Sequence, residues 1–373
     1  MTSIGGAEMV DWNLAVATAT RLVRPGPEVS RDEARAVVAE LRRHAKASEQ
    51  HVRGFTRMGT DDIHDTPILV VDRPGWVRAN VAGFREVLKP LLDKMQERRG
   101  NTPGGAVFGA VGGKVTGVEL GMLLSFLSSR VLGQYETFAP ASRELPAGAK
   151  GGRLLLVAPN IVHVERELDV QPHDFRLWVC LHEETHRTQF TAVPWLRDHL
   201  EGEIQSFLGE TEVDPMTVLE RIREAAQSLA GGRPEGEDDD EGRSLVEIVQ
   251  TPAQREILGR LTAVMSLLEG HADFVMDGVG PDVVPSVAEI REKFQQRRAK
   301  GASRLDSALR KLLGLDAKLR QYRDGERFVR AVVEQVGMDG FNRVWTSPNT
   351  LPTKTEIAKP ADWVARVHRK AES

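Results

Sequence analysis

The chain holds a single cysteine, Cys180, and two tyrosines among its 373 residues. One thiol cannot close an intrachain disulfide, so a cystine-stapled scaffold is excluded and a reducing compartment is expected. Cys180 itself reads as a small buried residue within a helix. A basic excess is missing too. Lys and Arg number 50 against 54 Asp and Glu, a net charge of −4, which argues against the electropositive surface of a nucleic-acid binder. The short basic groups Arg42-Arg43-His44 and Gln296-Arg297-Arg298 read as exposed helix faces. The first eight residues have neither a basic start nor an apolar core, so no secretory signal is expected and the cytoplasm is the expected compartment. An uninterrupted apolar run of membrane length is also lacking. Ala106 to Leu127 comes nearest, but Lys114 and Glu119 break it, so no stable membrane insertion is expected. Its glycines at 109, 113, 117 and 121 form a smooth stripe suited to close approach by another helix in a packed core.

What is present is length and helical periodicity. The length predicts two lobes, an N-terminal helical lobe over 1–150 and a catalytic lobe over 151–373. Arg31 to Val52 reads as an amphipathic helix capped by Ser30, with Ala34, Val37, Val38 and Leu41 on its buried side. Further helices are expected over 80–96, 195–208, 215–229, 251–276, 286–313 and 327–336. Strands are few: 68–72, and 153–158, where Leu154-Leu155-Leu156-Val157 is a short apolar run ending near Pro159. Gly231 to Arg243 carries Gly, Pro and the run Glu237-Asp238-Asp239-Asp240-Glu241. Self-repulsion makes it a solvated acidic loop, and it lacks the spacing of an EF-hand. The fold class is therefore mainly α, with a small β element.

The chemistry is concentrated in Leu181-His182-Glu183-Glu184-Thr185-His186, which reads HExxH on an expected helix. Pro172 marks that helix's start, and Phe175, Trp178, Leu181 and Thr185 form its buried face. Imidazoles four residues apart lie about 40° apart around the axis, so His182 and His186 can converge on one tetrahedral cation. Glu183 then sits beside the metal, placed to take a proton from a water whose pKa the metal lowers. That pattern is the metal site of zinc hydrolases, and Zn²⁺ is the expected cofactor.

A catalytic zinc site needs a third protein ligand. An HExxHxxGxxH extension is absent, because Gln189 and Ala192 stand where Gly and His are required. Downstream, Glu269-Gly270-His271-Ala272-Asp273 contains E-x-x-A-D, which is similar to the glutamate helix of gluzincin peptidases. In those enzymes the glutamate is the third ligand, and the aspartate one turn later accepts a hydrogen bond from a ligating imidazole. That likeness implies Glu269 as ligand and Asp273 as its support. His271 is the rival ligand. It lies about 200° around the helix from Glu269, so both can face one metal only if the helix breaks at Gly270. Asp273 is a further alternative. The wide spacer between His186 and Glu269 must fold as helices with a loop between them.

The chain as a whole resembles a bacterial, largely actinobacterial, family of zincin-like metallopeptidases whose members are often associated with deazaflavin-coenzyme biosynthesis. The likeness rests on Asp11-Trp12, Arg21-Leu22-Val23, Val131-Leu132-Gly133-Gln134-Tyr135, the HEETH helix, EGHADF, Lys318-x-x-Gln321-Tyr322-x-x-Gly325, and the tail through Trp345, Pro348, Leu351-Pro352-Thr353 and Trp363. It implies a two-lobed zincin-like helical metallopeptidase fold, with the β element beside the active-site helix and a peptide or protein substrate. Zincins place an edge strand along the substrate cleft, and Leu154 to Val157 is expected in that role. Tyr322, within the family-like segment, is nominated as donor to the oxyanion of a tetrahedral intermediate. The Pro-rich tail from Trp345 to Trp363 reads as a lid or as a strap over the core. Two other readings compete: a hydrolase of a non-peptide amide, using the same ligands in a small pocket, and a non-catalytic metal-stabilised protein. Glu183 argues against the second, since a structural site has no use for a base.

Overall fold

In a computed structural model the described residues are 9–59, 66–99, 105–139, 152–210, 252–300 and 315–369. The chain is mainly α with one small sheet, as its periodicity predicts. Helices α1 (Trp12–Leu22), α2 (Arg31–Thr56), α3 (Arg73–Arg99) and α4 (Gly105–Ser128) precede the expected active-site helix. After them come α5 (Ala158–Leu168), α6 (Pro172–Ala192) and α7 (Leu196–Gly209). Then follow α8 (Pro252–Gly278), α9 (Val287–Lys300), α10 (Leu315–Phe341), α11 (Lys354–Ala358) and α12 (Pro360–Arg369). Both the expected helix over 215–229 and the acidic loop over 231–243 lie outside the described residues.

Strands β1 (Ile68–Val71), β2 (Gly133–Glu136) and β3 (Arg153–Val157) form a sheet of order β1-β3-β2. β3 pairs parallel with β1, Ile68 opposite Leu154, and antiparallel with β2, Gly133 opposite Leu156. Its apolar run is explained by burial on both faces. Leu154 and Leu156 pack into a core built with α2, α5 and α6, while Leu155 and Val157 pack on the opposite side with α1, α3 and α4. β3 is therefore the central strand, and the expectation that Leu154 to Val157 would edge the cleft is corrected. The edge beside α6 is β2, which has too short a run and too little alternation to be read from sequence.

Local chemistry accounts for the helix ends. The Ser30 hydroxyl accepts from Glu33 N at 3.1 Å, capping α2 as expected. Asp11 caps α1 in the same way, accepting from Leu14 N at 2.9 Å. Pro159 does not close β3 so much as open α5, where its missing N–H costs nothing. Of the glycine stripe of α4, Gly117 and Gly121 lie against α1: a Cβ on Gly117 would stand 2.6 Å from the Asp11 carbonyl oxygen, and one on Gly121 2.7 Å from that of Ala15. Among the described residues no helix is long and apolar enough to cross a membrane.

A second core joins α7, α8 and α10 to the tail. The tail is helical, and Trp345, Leu351, Ile357 and Trp363 are buried in this core. It is a strap, bound by Trp195 Nε1 donating to Trp345 O at 3.0 Å and Trp363 Nε1 donating to Thr350 O at 2.8 Å. α8 and α10 cross at Gly270 and Gly325, where a Cβ on Gly270 would meet the Gly325 carbonyl carbon at 2.1 Å. α8 runs unbroken through Gly270, so the glycine is there for the crossing and introduces no helix break.

Candidate metal centre

α6 is the most deeply buried helix of the site. Phe175, Trp178, Leu181 and Thr185 are all buried, and Pro172 occupies its first turn. Cys180 is fully enclosed, with its thiol pushed up by burial, and serves as packing. With that face against the core, the opposite side of α6 turns toward α8 and presents His182 and His186. Their Nε2 atoms stand 3.2 Å apart. Glu269 faces them from α8, one carboxylate oxygen 3.6 Å from His182 Nε2 and the other 3.7 Å from His186 Nε2.

Zinc ligands at about 2.0–2.1 Å around a tetrahedron stand about 3.3 Å from one another. The three groups fit that pattern with shifts of a few tenths of an ångström, and the donor set, two imidazoles and a carboxylate, matches zinc. His182 Nδ1 lies 3.7 Å from Asp273 Oδ1, so Asp273 stands behind His182, one turn along α8 from Glu269. His271 is not in the group. It is fully buried against Phe341 and Trp345, separated from His186 by the Gln189 amide, and burial drives its pKa down to about 3.

Gln189 joins these parts. Its Nε2 donates to the Leu268 carbonyl at 2.9 Å and to His271 Nδ1 at 3.0 Å. A carbonyl can only accept, so the Gln189 amide is oriented, and its Oε1 accepts from His186 Nδ1 at 3.0 Å. The proton of neutral His186 therefore sits on Nδ1, leaving the Nε2 lone pair turned into the site. In the sequence, Gln189 does no more than exclude a longer zinc motif. Its place one turn after His186 on the same face was the available signal.

Glu183 is buried beside the pair. Burial, reinforced by the Glu269 charge and opposed by His182, raises its carboxyl pKa to about 7. β2 closes against it, since a Cβ on Gly133 would stand 2.6 Å from Glu183 Cγ. Burial works against a charged His182, yet Glu269, Glu183 and Asp273 together raise its pKa to about 9. That concentration of carboxylates is what a divalent cation neutralises.

The site opens on a cavity of about 950 Å³ bounded by α3, β2, α6, α7 and α8, with His182, Glu183, His186 and Glu269 in its wall. Tyr135 also lines it, stacked on Phe190 at 5.5 Å, its phenol held protonated to about pH 12 by burial. Tyr322 falls within α10, and its side chain lies outside the described residues. Among the described residues one other group could hold a metal, Glu40, His44 and His173. There Glu40 is already engaged by Arg176 at 2.5 Å, a cation that opposes a second.

Comparison with known proteins bears on the family of the chain. No curated protein matches the chain. A crystal structure from Chloroflexus aurantiacus, described as "a putative hydrolase with a novel fold", superposes with a TM-score of 0.65 at 29% identity, covering 96% of this chain and 99% of that one. The profile of the zincin-like metallopeptidase family matches residues 10–364, and the chain belongs to that family.

Proposed function

We propose that the protein is a zinc-dependent metallopeptidase, hydrolysing amide bonds of peptides with Glu183 as base. The observation that carries this reading is the convergence of His182, His186 and Glu269 on one point, with Glu183 beside them in the wall of a cavity. A bound zinc would supply Lewis acidity, polarising the scissile carbonyl and lowering the pKa of water at the open position. Glu183 takes the proton of the attacking water and returns it to the leaving nitrogen. Asp273 orients His182, and the Gln189 amide orients His186. Tyr135 is a protonated donor in the cavity wall, and with Tyr322 it is a candidate for holding the oxyanion.

β2 is suited to hold a peptide. Val157 N donates to Leu132 O at 2.8 Å, and the register continues through Gln134 opposite Leu155. Antiparallel pairing alternates, so Gly133 and Tyr135 turn their backbone groups away from β3, toward the open edge. An extended peptide can add there as a further strand.

The test is metal content by inductively coupled plasma mass spectrometry on untagged protein. Wild type and His271→Ala are expected to retain about one zinc per chain, and Glu269→Ala to lose it. Glu183→Gln is expected to keep the metal and lose hydrolysis by about 10²-fold or more. Wild type that binds no metal after zinc is supplied would end this reading.

A further inference from the structure

The cavity extends well beyond the reacting groups, and its far wall differs in character from β2. Along α8, Leu258, Leu261 and Met265 recur at heptad spacing on the face that ends at Glu269. At the helical rise, Leu258 to Glu269 spans about 16 Å. Across from them stand Leu200 and Ile204 of α7, four residues apart, and Phe84 of α3. Phe84 and Met265 remain 40% exposed, the pattern of an apolar surface kept open. Thr262 is the polar side chain that α7 and α8 contribute to this wing among the described lining residues.

Helices have already used their backbone hydrogen bonds, so these walls offer almost nothing to a peptide's amides. A peptide backbone laid in this wing would bury unpaired N–H and C=O groups at a cost of roughly 2 kcal/mol or more each. An aliphatic chain carries none. On the other side of the reacting groups, the edge of β2 offers backbone partners at Gly133 and Tyr135, the reverse chemistry. Among the described residues that line the cavity there is no lysine or arginine, and Glu136, Glu183 and Glu269 are all acidic. Away from the metal site itself, a substrate carboxylate would find no lysine or arginine partner in those walls.

We infer that the substrate is an N-acylated peptide, its long aliphatic acyl chain in the α3, α7 and α8 trough and its peptide part along β2, cleaved at the acyl amide. This rests on the metal-hydrolase reading and names its substrate class. Water adds across the acyl C–N bond. Its oxygen bonds to the carbonyl carbon, the C–N bond breaks, and the proton held by Glu183 passes to the nitrogen. The products are a fatty carboxylate and a peptide with a free amino terminus.

Two measurements separate this inference from the reading beneath it. In the first, zinc-loaded protein is given a carboxamide-ended tripeptide bearing acetyl, octanoyl or lauroyl groups. The ratio of kcat/KM for lauroyl over acetyl is expected to exceed about 100, since methylenes entering an apolar pocket each add to discrimination. Met265→Glu is expected to cut that ratio at least about tenfold. A ratio near one, or cleavage confined to internal peptide bonds, overturns the inference while leaving the hydrolase reading intact. In the second, metal-stripped protein is titrated with the dansyl sulfonamide of dodecylamine, an uncharged probe it cannot hydrolyse. Saturable fluorescence lost in Met265→Glu supports the trough; the same result with no amide cleaved keeps an aliphatic site there but removes the hydrolase reading and, with it, the cleavage inferred here. No saturable binding by wild type overturns the inference.

Discussion

At the scale of single residues, the site depends on two positions, Gly133 and Gln189, that contribute no metal ligand. Gly133 leaves room for Glu183, because any Cβ there would overlap the carboxylate arm. Gly133→Ala is expected to hold zinc as wild type does while losing about 10²-fold in kcat, read by comparing metal content with turnover on one substrate. Gln189 acts on His186. Gln189→Leu leaves the Leu268 carbonyl and His186 Nδ1 without their partner, and zinc affinity is expected to fall by about 10–100-fold in a chelator competition. Unchanged affinity would show that His186 keeps its tautomer without help. His182, Glu183 and His186 were legible because HExxH is a local pattern, written within five consecutive residues. Gln189 was not, since its role depends on a carbonyl 79 residues further along the chain. Gly133 stood in a family-like run, but nothing in its neighbours announces that a glutamate from another element will lie on it.

At the scale of elements, position is set by close approach. The proposed third ligand, Glu269, is carried by α8, and α8 is set by its crossing with α10 at Gly270 and Gly325. A Cβ on Gly325 would lie 1.9 Å from the Ser266 carbonyl oxygen, backbone that cannot swing aside. Gly325→Ala is expected to destabilise the protein by about 3 kcal/mol despite alanine's better helix propensity, measured by urea unfolding. The segment holding Gly325 was recognisable as a family-like run. Its purpose was not, because a tight crossing involves two partners and sequence displays one at a time. The same limit explains the misplaced edge strand. The apolar run of β3 announces a strand, but only pairing partners distinguish a centre from an edge. Long helices with caps, such as α2 behind Ser30, were readable because periodicity and capping are both local.

At the scale of the whole molecule, a network of partly exposed charges ties α9, which packs on the first core, to α8 and α10. Arg291 of α9 reaches Asp277 of α8 at 3.1 Å and Glu326 of α10 at 2.9 Å, and Arg330 reaches Glu326 at 2.7 Å. Burial raises the Asp277 pKa to about 6, although Arg291 pulls it down. A carboxyl raised on folding favours the native state below its unfolded pKa, near 3.8, and loses that contribution as pH climbs through about 6. Asp277→Asn is therefore expected to stabilise the protein by roughly 2 kcal/mol at pH 8 relative to wild type. The difference should vanish at pH 4, as followed by thermal unfolding across pH. A gain that persisted at pH 4 would assign the effect to packing.

The link from Gln189 to the Leu268 carbonyl has one more consequence. The turn of α8 that supplies Glu269 also dictates, through that link, which nitrogen of His186 carries its proton. A misfolded chain with α8 slipped along α6 loses the carboxylate and the correct imidazole tautomer together, and so has no partial site to offer. On the proposed reading metal uptake would then work as proofreading: a cation would be retained only by molecules whose two helices, distant in sequence, have met in register.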